Sequence, residues 1–151
     1  MIFIIIAVVI CALDLAVKYQ VEKKVKDTGK TKYLNGKLYI EKHHNKGVFL
    51  NFMEKIPSVA AALSGVVIGI MVALFGILLP EKRKTLMKLG FSFALGGAFG
   101  NFIDRVFRGY VVDFLRCPKV KPIKMLIFNI ADVFVFLGGI LIAIGAMFQK
   151  K

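Results

Sequence analysis

Residues 58–79 form a run of 22 positions without a charge. A helix needs about 20 predominantly apolar residues to cross the hydrocarbon core of a bilayer. Three further apolar stretches accompany this run. They are residues 2–17, with Asp14 inside; residues 86–103, interrupted only by Lys88; and residues 125–148, with Asp132 inside. The second and fourth stretches are long enough outright, while the first and third draw on flanking residues to reach both interfaces. Composition agrees: 58% of the 151 residues are hydrophobic and the mean hydropathy is +0.72, against about 45–50% apolar in soluble domains. That excess excludes a disordered chain, a coiled coil and an ordinary water-soluble enzyme. The chain reads as one all-α integral membrane domain, residues 1–151, with four transmembrane helices at about 2–19, 58–79, 86–105 and 125–148.

A cleaved signal peptide is the rival reading of the first stretch. No Lys or Arg precedes it, Asp14 interrupts it, and no A-x-A-like site follows, so a retained helix is expected. A polar segment of 38 residues, 20–57, separates the first two spans. Its centre reads Thr31-Lys32-Tyr33-Leu34-Asn35-Gly36-Lys37-Leu38-Tyr39-Ile40. Asn-Gly between two β-prone runs predicts a hairpin with a type I′ turn, because both central residues must take positive φ. This first loop is therefore expected to carry a small β-sheet.

Lys plus Arg number 22 against 9 Asp plus Glu, a net charge of +13. The cations flank apolar runs, so membrane lipids with anionic headgroups are the expected partner, each cation contributing about 1 kcal/mol. There is no zinc-finger spacing and no Trp, and no nucleic-acid partner is expected. The short connection Glu81-Lys82-Arg83-Lys84 and the ending Gln149-Lys150-Lys151 share one side by even-span topology, and their density of charge suggests the cytoplasm. The first loop, on the opposite side, carries nine lysines between Lys23 and Lys55, so charge counting alone does not orient the chain. Cys11 and Cys117 read as free thiols unless the fold pairs them. His43 and His44 lack nearby acids to complete a metal site. No metal and no cofactor are expected.

The acids carry the functional signal. Glu22, Asp27, Glu41, Glu54 and Glu81 lie in polar segments, whereas Asp14, Asp104, Asp113 and Asp132 lie in or beside apolar sequence. A carboxylate at membrane depth costs a few kcal/mol on the mildest scale, so such groups pair, face the interior or do chemistry. Asp14 and Lys18 share a helix face; they read either as a helix-end ion pair with Lys18 snorkelling outward or as the border of a site. Asp104 shares a face with Asn101 and reaches Arg108, which suggests an ion-paired helix end, with Asn101 and Arg105 supporting a nearby site. Asp132 has no cation three or four residues away, and Asp113 has only Arg116. Two such carboxyls make sense if they converge, since a shared site raises one pKa and keeps the other low. One acid and one base around a water is the aspartic-protease arrangement. Small-residue spacing at Gly96 and Gly100, and again at Gly138 and Gly139, permits close helix approach.

In order and spacing, three segments resemble the lipoprotein signal peptidase (signal peptidase II) family: Gly96-Gly97-Ala98-Phe99-Gly100-Asn101-Phe102-Ile103-Asp104-Arg105, then Gly109-Tyr110-Val111-Val112-Asp113-Phe114, then Phe128-Asn129-Ile130-Ala131-Asp132. Asp14-Leu15-Ala16-Val17-Lys18 is similar to the family's first-helix motif, and Asn45-Lys46-Gly47-Val48-Phe49 to its motif after the first loop. Val17 stands where the family usually has Thr or Ser. Phe49-Leu50-Asn51-Phe52 departs from its alanine-rich continuation. The resemblance implies a four-helix bundle with a small extracytoplasmic sheet, in the bacterial cytoplasmic membrane, with cytoplasmic termini and a site towards the outer face. It implies a diacylglyceryl-modified prolipoprotein substrate, cut just before the lipidated cysteine, and assigns catalysis to Asp113 and Asp132. Asp14, Lys18, Asn45, Gly47, Asn101, Asp104, Arg105 and Asn129 become candidates for substrate binding or support. A monomer is expected. The alternative from a different class is a small proton or ion transporter using the intramembrane aspartates; a non-catalytic scaffold is the third. Neither broken helices in paired halves nor an inverted repeat is visible in support of transport.

Overall fold

The computed structural model describes residues 1–26, 29–46, 57–121 and 126–148. Four helices dominate: α1 (Ile2–Lys24), α2 (Pro57–Leu78), α3 (Thr85–Arg108) and α4 (Ile130–Met147). Each is long and apolar enough to cross a membrane. α1 continues five residues past position 19, and α3 three past 105. α4 begins only at Ile130, so Asp132 lies in its first turn rather than deep within a span that starts at 125.

α3 is the centre of the bundle. Half of it is buried, against under a fifth of each other helix, and it packs on α1, α2 and α4. Glycine makes this possible on two faces. A Cβ at Gly97 would run into the backbone carbonyl of Ala131 on α4, and one at Gly100 would lie 2.5 Å from Asp14 Oδ2 on α1. Gly138 packs tightly against Ala94 and Gly90, whereas nothing lies near Gly139; only the first of that pair serves close packing. Ile68, Phe75, Leu78, Phe91 and Leu95 form the core between α2 and α3. Outward positions such as Val8, Val66, Ile70, Ile77 and Phe136 are exposed apolar side chains, as suits helices solvated by lipid.

At one end of the bundle lies a four-stranded antiparallel sheet, in the order β1 (Lys30–Tyr33), β2 (Leu38–Asn45), β3 (Val111–Arg116), β4 (Ile127–Phe128). The predicted hairpin is present, but its turn is not a two-residue type I′. Tyr33 pairs with Leu38, and Leu34, Asn35 and Gly36 all take positive φ in a single 3₁₀ turn. The sheet also recruits β3 and β4 from the α3–α4 connection. Gly109 makes that entry possible: at φ 76° it closes α3 with its N–H on the Arg105 carbonyl, a left-handed cap that glycine adopts without steric penalty. Val112 and Phe114 of β3 then pack on Val21 of α1, so the sheet sits on the end of α1.

Candidate active site

Lys18 is the hub where α1, α3, β3 and α4 meet. It is fully buried and does not snorkel. Its Nζ lies 2.7 Å from Asp14 Oδ2, 3.2 Å from Asp104 Oδ2, and donates to Asn101 Oδ1 at 2.7 Å. Each of those three partners holds another element. Asp14 Oδ1 accepts the backbone N–H of Ala131 at 2.9 Å, satisfying a free donor in the first turn of α4 where a carboxylate also meets the positive helix end. Asp104 Oδ2 accepts the N–H of Val112 at 3.2 Å, and its Oδ1 lies 3.4 Å from Arg108 Nε. Thus one ammonium, through two carboxylates, pins both the helix that carries Asp132 and the strand that carries Asp113. In a buried ion cluster of this kind, the attraction between ammonium and carboxylates offsets the cost of taking them out of water only when the geometry is close.

Asn129 joins the two remaining aspartates. As N-cap of α4 it forms a capping box: Asn129 Oδ1 accepts the Asp132 N–H at 2.9 Å, and Asp132 Oδ2 accepts the Asn129 N–H at 3.1 Å. Its Nδ2 donates to Asp113 Oδ1 at 2.7 Å and to Asn101 Oδ1 at 3.1 Å. Asn101 Nδ2 donates to Asp132 Oδ1 at 2.8 Å. From β2, Asn45 Nδ2 donates to Asp113 Oδ2 at 3.0 Å. The two carboxyls, 19 positions apart in sequence, are therefore bridged by one residue, Asn129, whose side-chain amide reaches Asp113 and whose backbone N–H reaches Asp132.

Their environments differ. Asp113 is 2% exposed, while Asp132 is half-buried. Burial, and next the charge of Asp132, push the Asp113 carboxyl up to about 7, against the opposing hydrogen bonds from Asn45 and Asn129. A carboxyl so placed holds a proton near neutral pH. Arg105, one turn from Asn101, donates from Nη1 to the Asn101 carbonyl at 3.4 Å. Its Nε is buried with no hydrogen-bond partner among the described residues, and its charge acts on Asp132 and Asp113. Of the residues singled out in sequence, Gly47 lies outside the described residues; the other nine belong to this one network.

Two features escaped the sequence reading. Glu41, placed among acids in a polar segment, is 6% exposed. Burial raises its pKa, but Lys30 and Arg116 outweigh that and hold it below the usual carboxylate range. Glu22 accepts from His44 Nε2 at 3.0 Å or shares its proton, and accepts from Tyr110 at 3.4 Å, with the His44 and Tyr110 rings 4.1 Å apart. This cluster ties the end of α1 to β2 beside Asn45. Neither contact has a local sequence signal, because the partners are brought together only by the sheet.

Along nearly its whole length the chain is similar to known proteins. A sequence model of the family described as signal peptidase (SPase) II matches residues 6–148. The chain belongs to the signal peptidase II family. A lipoprotein signal peptidase of Halalkalibacterium halodurans is 33% identical over 99% of this chain and 91% of its own length. One from Brevibacillus brevis is 35% identical over 93% and 91%. A solved bacterial membrane enzyme superposes with a TM-score of 0.82 at 27% identity, over 99% of this chain and 92% of that one. Signal peptidases II are hydrolases, and these comparisons do not favour the transport reading.

Proposed function

We propose that this membrane hydrolase removes the signal peptide from diacylglyceryl-modified prolipoproteins, cutting on the N-terminal side of the lipidated cysteine, with Asp113 and Asp132 as its catalytic pair. The observation that carries the assignment is the shared hydrogen-bond bridge through Asn129, which places two carboxyls of unequal environment around one space. Asp113 holds the proton. Asp132 takes a proton from water as that water attacks the scissile carbonyl; Asp113 donates to the carbonyl oxygen. Collapse of the tetrahedral intermediate expels the amine, which leaves with a proton returned from the pair. Arg105 and Asn101 stand at the rim to hold substrate carbonyls, and the sheet cradles the substrate where it leaves the bilayer. In this reading the termini are cytoplasmic, the sheet is extracytoplasmic, and the enzyme works as a monomer.

The test is a gel-shift cleavage assay on a diacylglyceryl-modified prolipoprotein, with purified protein in detergent. Wild type converts the substrate, and the folded variants Asp113→Asn and Asp132→Asn do not. Retained cleavage in both variants would move the assignment to other acids, Asp104 and Asp14 first.

A further inference from the structure

On the side of α3 turned from α4, α1 and α2 barely touch each other. They leave a cavity of about 600 Å³ over α3, walled by apolar side chains that include Cys11 and Leu15, Phe75 and Gly76, and Leu95 and Ile103. Leu95 and Ile103 lie on the side of α3 turned from the Gly90, Ala94 and Gly97 stripe that packs on α4. The groove is therefore separate from the Asp113–Asp132 space. Along α1 it runs from Ile4 to Leu15, a rise of ~16 Å. That is about half of the ~30 Å hydrocarbon core, the depth of one leaflet and the reach of one acyl chain.

The far end of the groove is cationic. Lys88, two helical turns before Leu95 on the same stripe of α3, is only 7% exposed. Its ammonium rests 5.7 Å above the ring of Phe3, the residue before Ile4. No carboxylate among the described residues pairs with it. The α3 N-terminus beside it has no side-chain cap and no acid in its first turn, so the positive end of the helix adds to the charge of Lys88. Lys82 and Arg83 are exposed in the adjoining turn. The other buried cation among the described residues, Lys18, is paired with Asp14 and Asp104.

We infer that the groove and Lys88 form a binding site for one anionic phospholipid. One acyl chain lies between α1 and α2 against Leu95, and the headgroup phosphate sits on Lys88 Nζ and the start of α3. Charge complementarity selects an anionic over a zwitterionic headgroup, and the match of groove depth to one leaflet selects a lipid over a helical peptide. This site is independent of the peptidase reading.

The chain holds no Trp, so one introduced indole reports on one place. Val72→Trp sets it at the groove; Phe136→Trp sets it on the exposed face of α4. Each full-length protein is reconstituted in phosphatidylcholine vesicles carrying increasing fractions of brominated phosphatidylglycerol or brominated phosphatidylcholine. Brominated phosphatidylglycerol quenches the Val72→Trp fluorescence at the lower fraction, and the Phe136→Trp protein shows no headgroup preference. Adding Lys88→Gln reduces the groove preference about fivefold, the effect of one cation at an anionic surface. Gly76→Phe, at a position whose Cβ would meet nothing within 4 Å, fills the groove and weakens quenching by both lipids. Equal quenching by the two lipids at Val72→Trp, or a preference that survives Lys88→Gln, overturns the proposal. So does relief of quenching by a synthetic signal peptide, which would give the groove to substrate.

Discussion

Asn129 donates its side-chain amide to Asp113 at 2.7 Å while the same residue caps the helix that carries Asp132. One side chain thus performs a structural and a positioning task, and the two can be separated. Serine is as good an N-cap as asparagine, but it lacks the amide that reaches Asp113. In Asn129→Ser the helix cap is kept, and stability falls only by the lost amide bonds to Asp113 and Asn101, about 1–3 kcal/mol. The cleavage rate falls about 2–10-fold, the worth of one hydrogen bond to a neutral carboxyl. Loss of stability without loss of rate would reverse the argument.

Among the described residues, Lys18 is the cation that pairs with both Asp14 and Asp104 in the buried hub. Replacing it with Met leaves two buried carboxylates without their ammonium, at a penalty of about 3–5 kcal/mol. Thermal unfolding of Lys18→Met in detergent measures this. Pairing it with Asp104→Asn recovers part of the loss, and the double-mutant cycle gives the coupling.

Helix approach at Gly97 and Gly139 gives opposite expectations for the same substitution. Gly97→Ala drives a methyl group into the Ala131 carbonyl and destabilises by about 1–3 kcal/mol, with α4 and Asp132 displaced. Gly139→Ala meets nothing within 4 Å and stabilises by about 0.5–1 kcal/mol through helix propensity. Melting temperatures of the two variants, compared with wild type, decide between packing and propensity.

The raised Asp113 carboxyl sets a pH dependence of both activity and stability. As general acid it must be protonated, so the cleavage rate declines as pH rises through about 7. Between the ordinary value of 3.8 and about 7 the folded chain holds a proton that the unfolded chain releases. The stability from that proton is complete below the lower value and disappears as pH climbs through the upper one. Asp113→Asn, neutral at every pH, flattens that part of the stability profile and melts higher than wild type at pH above 7. A wild-type profile flat across this range would contradict the assignment.

Much of this protein was legible from local pattern. The four spans follow from apolar run length, since backbone groups in lipid must be satisfied within the segment. The Asn35-Gly36 hairpin follows from turn chemistry, although the turn closed over four residues rather than two. Asp104 and Arg108 pair as helical spacing indicates. The α4 boundary was misjudged because apolar residues suit a buried strand as well as a span; Ile127 and Phe128 pair with β3. Spacing leaves Lys18 open between a snorkelling helix-end pair and the border of a site, because its second carboxylate, Asp104, lies on another helix.

By itself the sequence determined which segments are apolar enough to cross the membrane, where acids lie in or beside them, and which family motifs they form, because these depend on run length and spacing along the chain. Only the tertiary structure decided that Asn129 bridges Asp113 to Asp132, that one lysine anchors both of their elements, that Glu41 is buried, and that α1 and α2 part over Lys88. Those relations join residues as far apart as Asp14 and Ala131, and nothing in the local periodicity of either segment records the other.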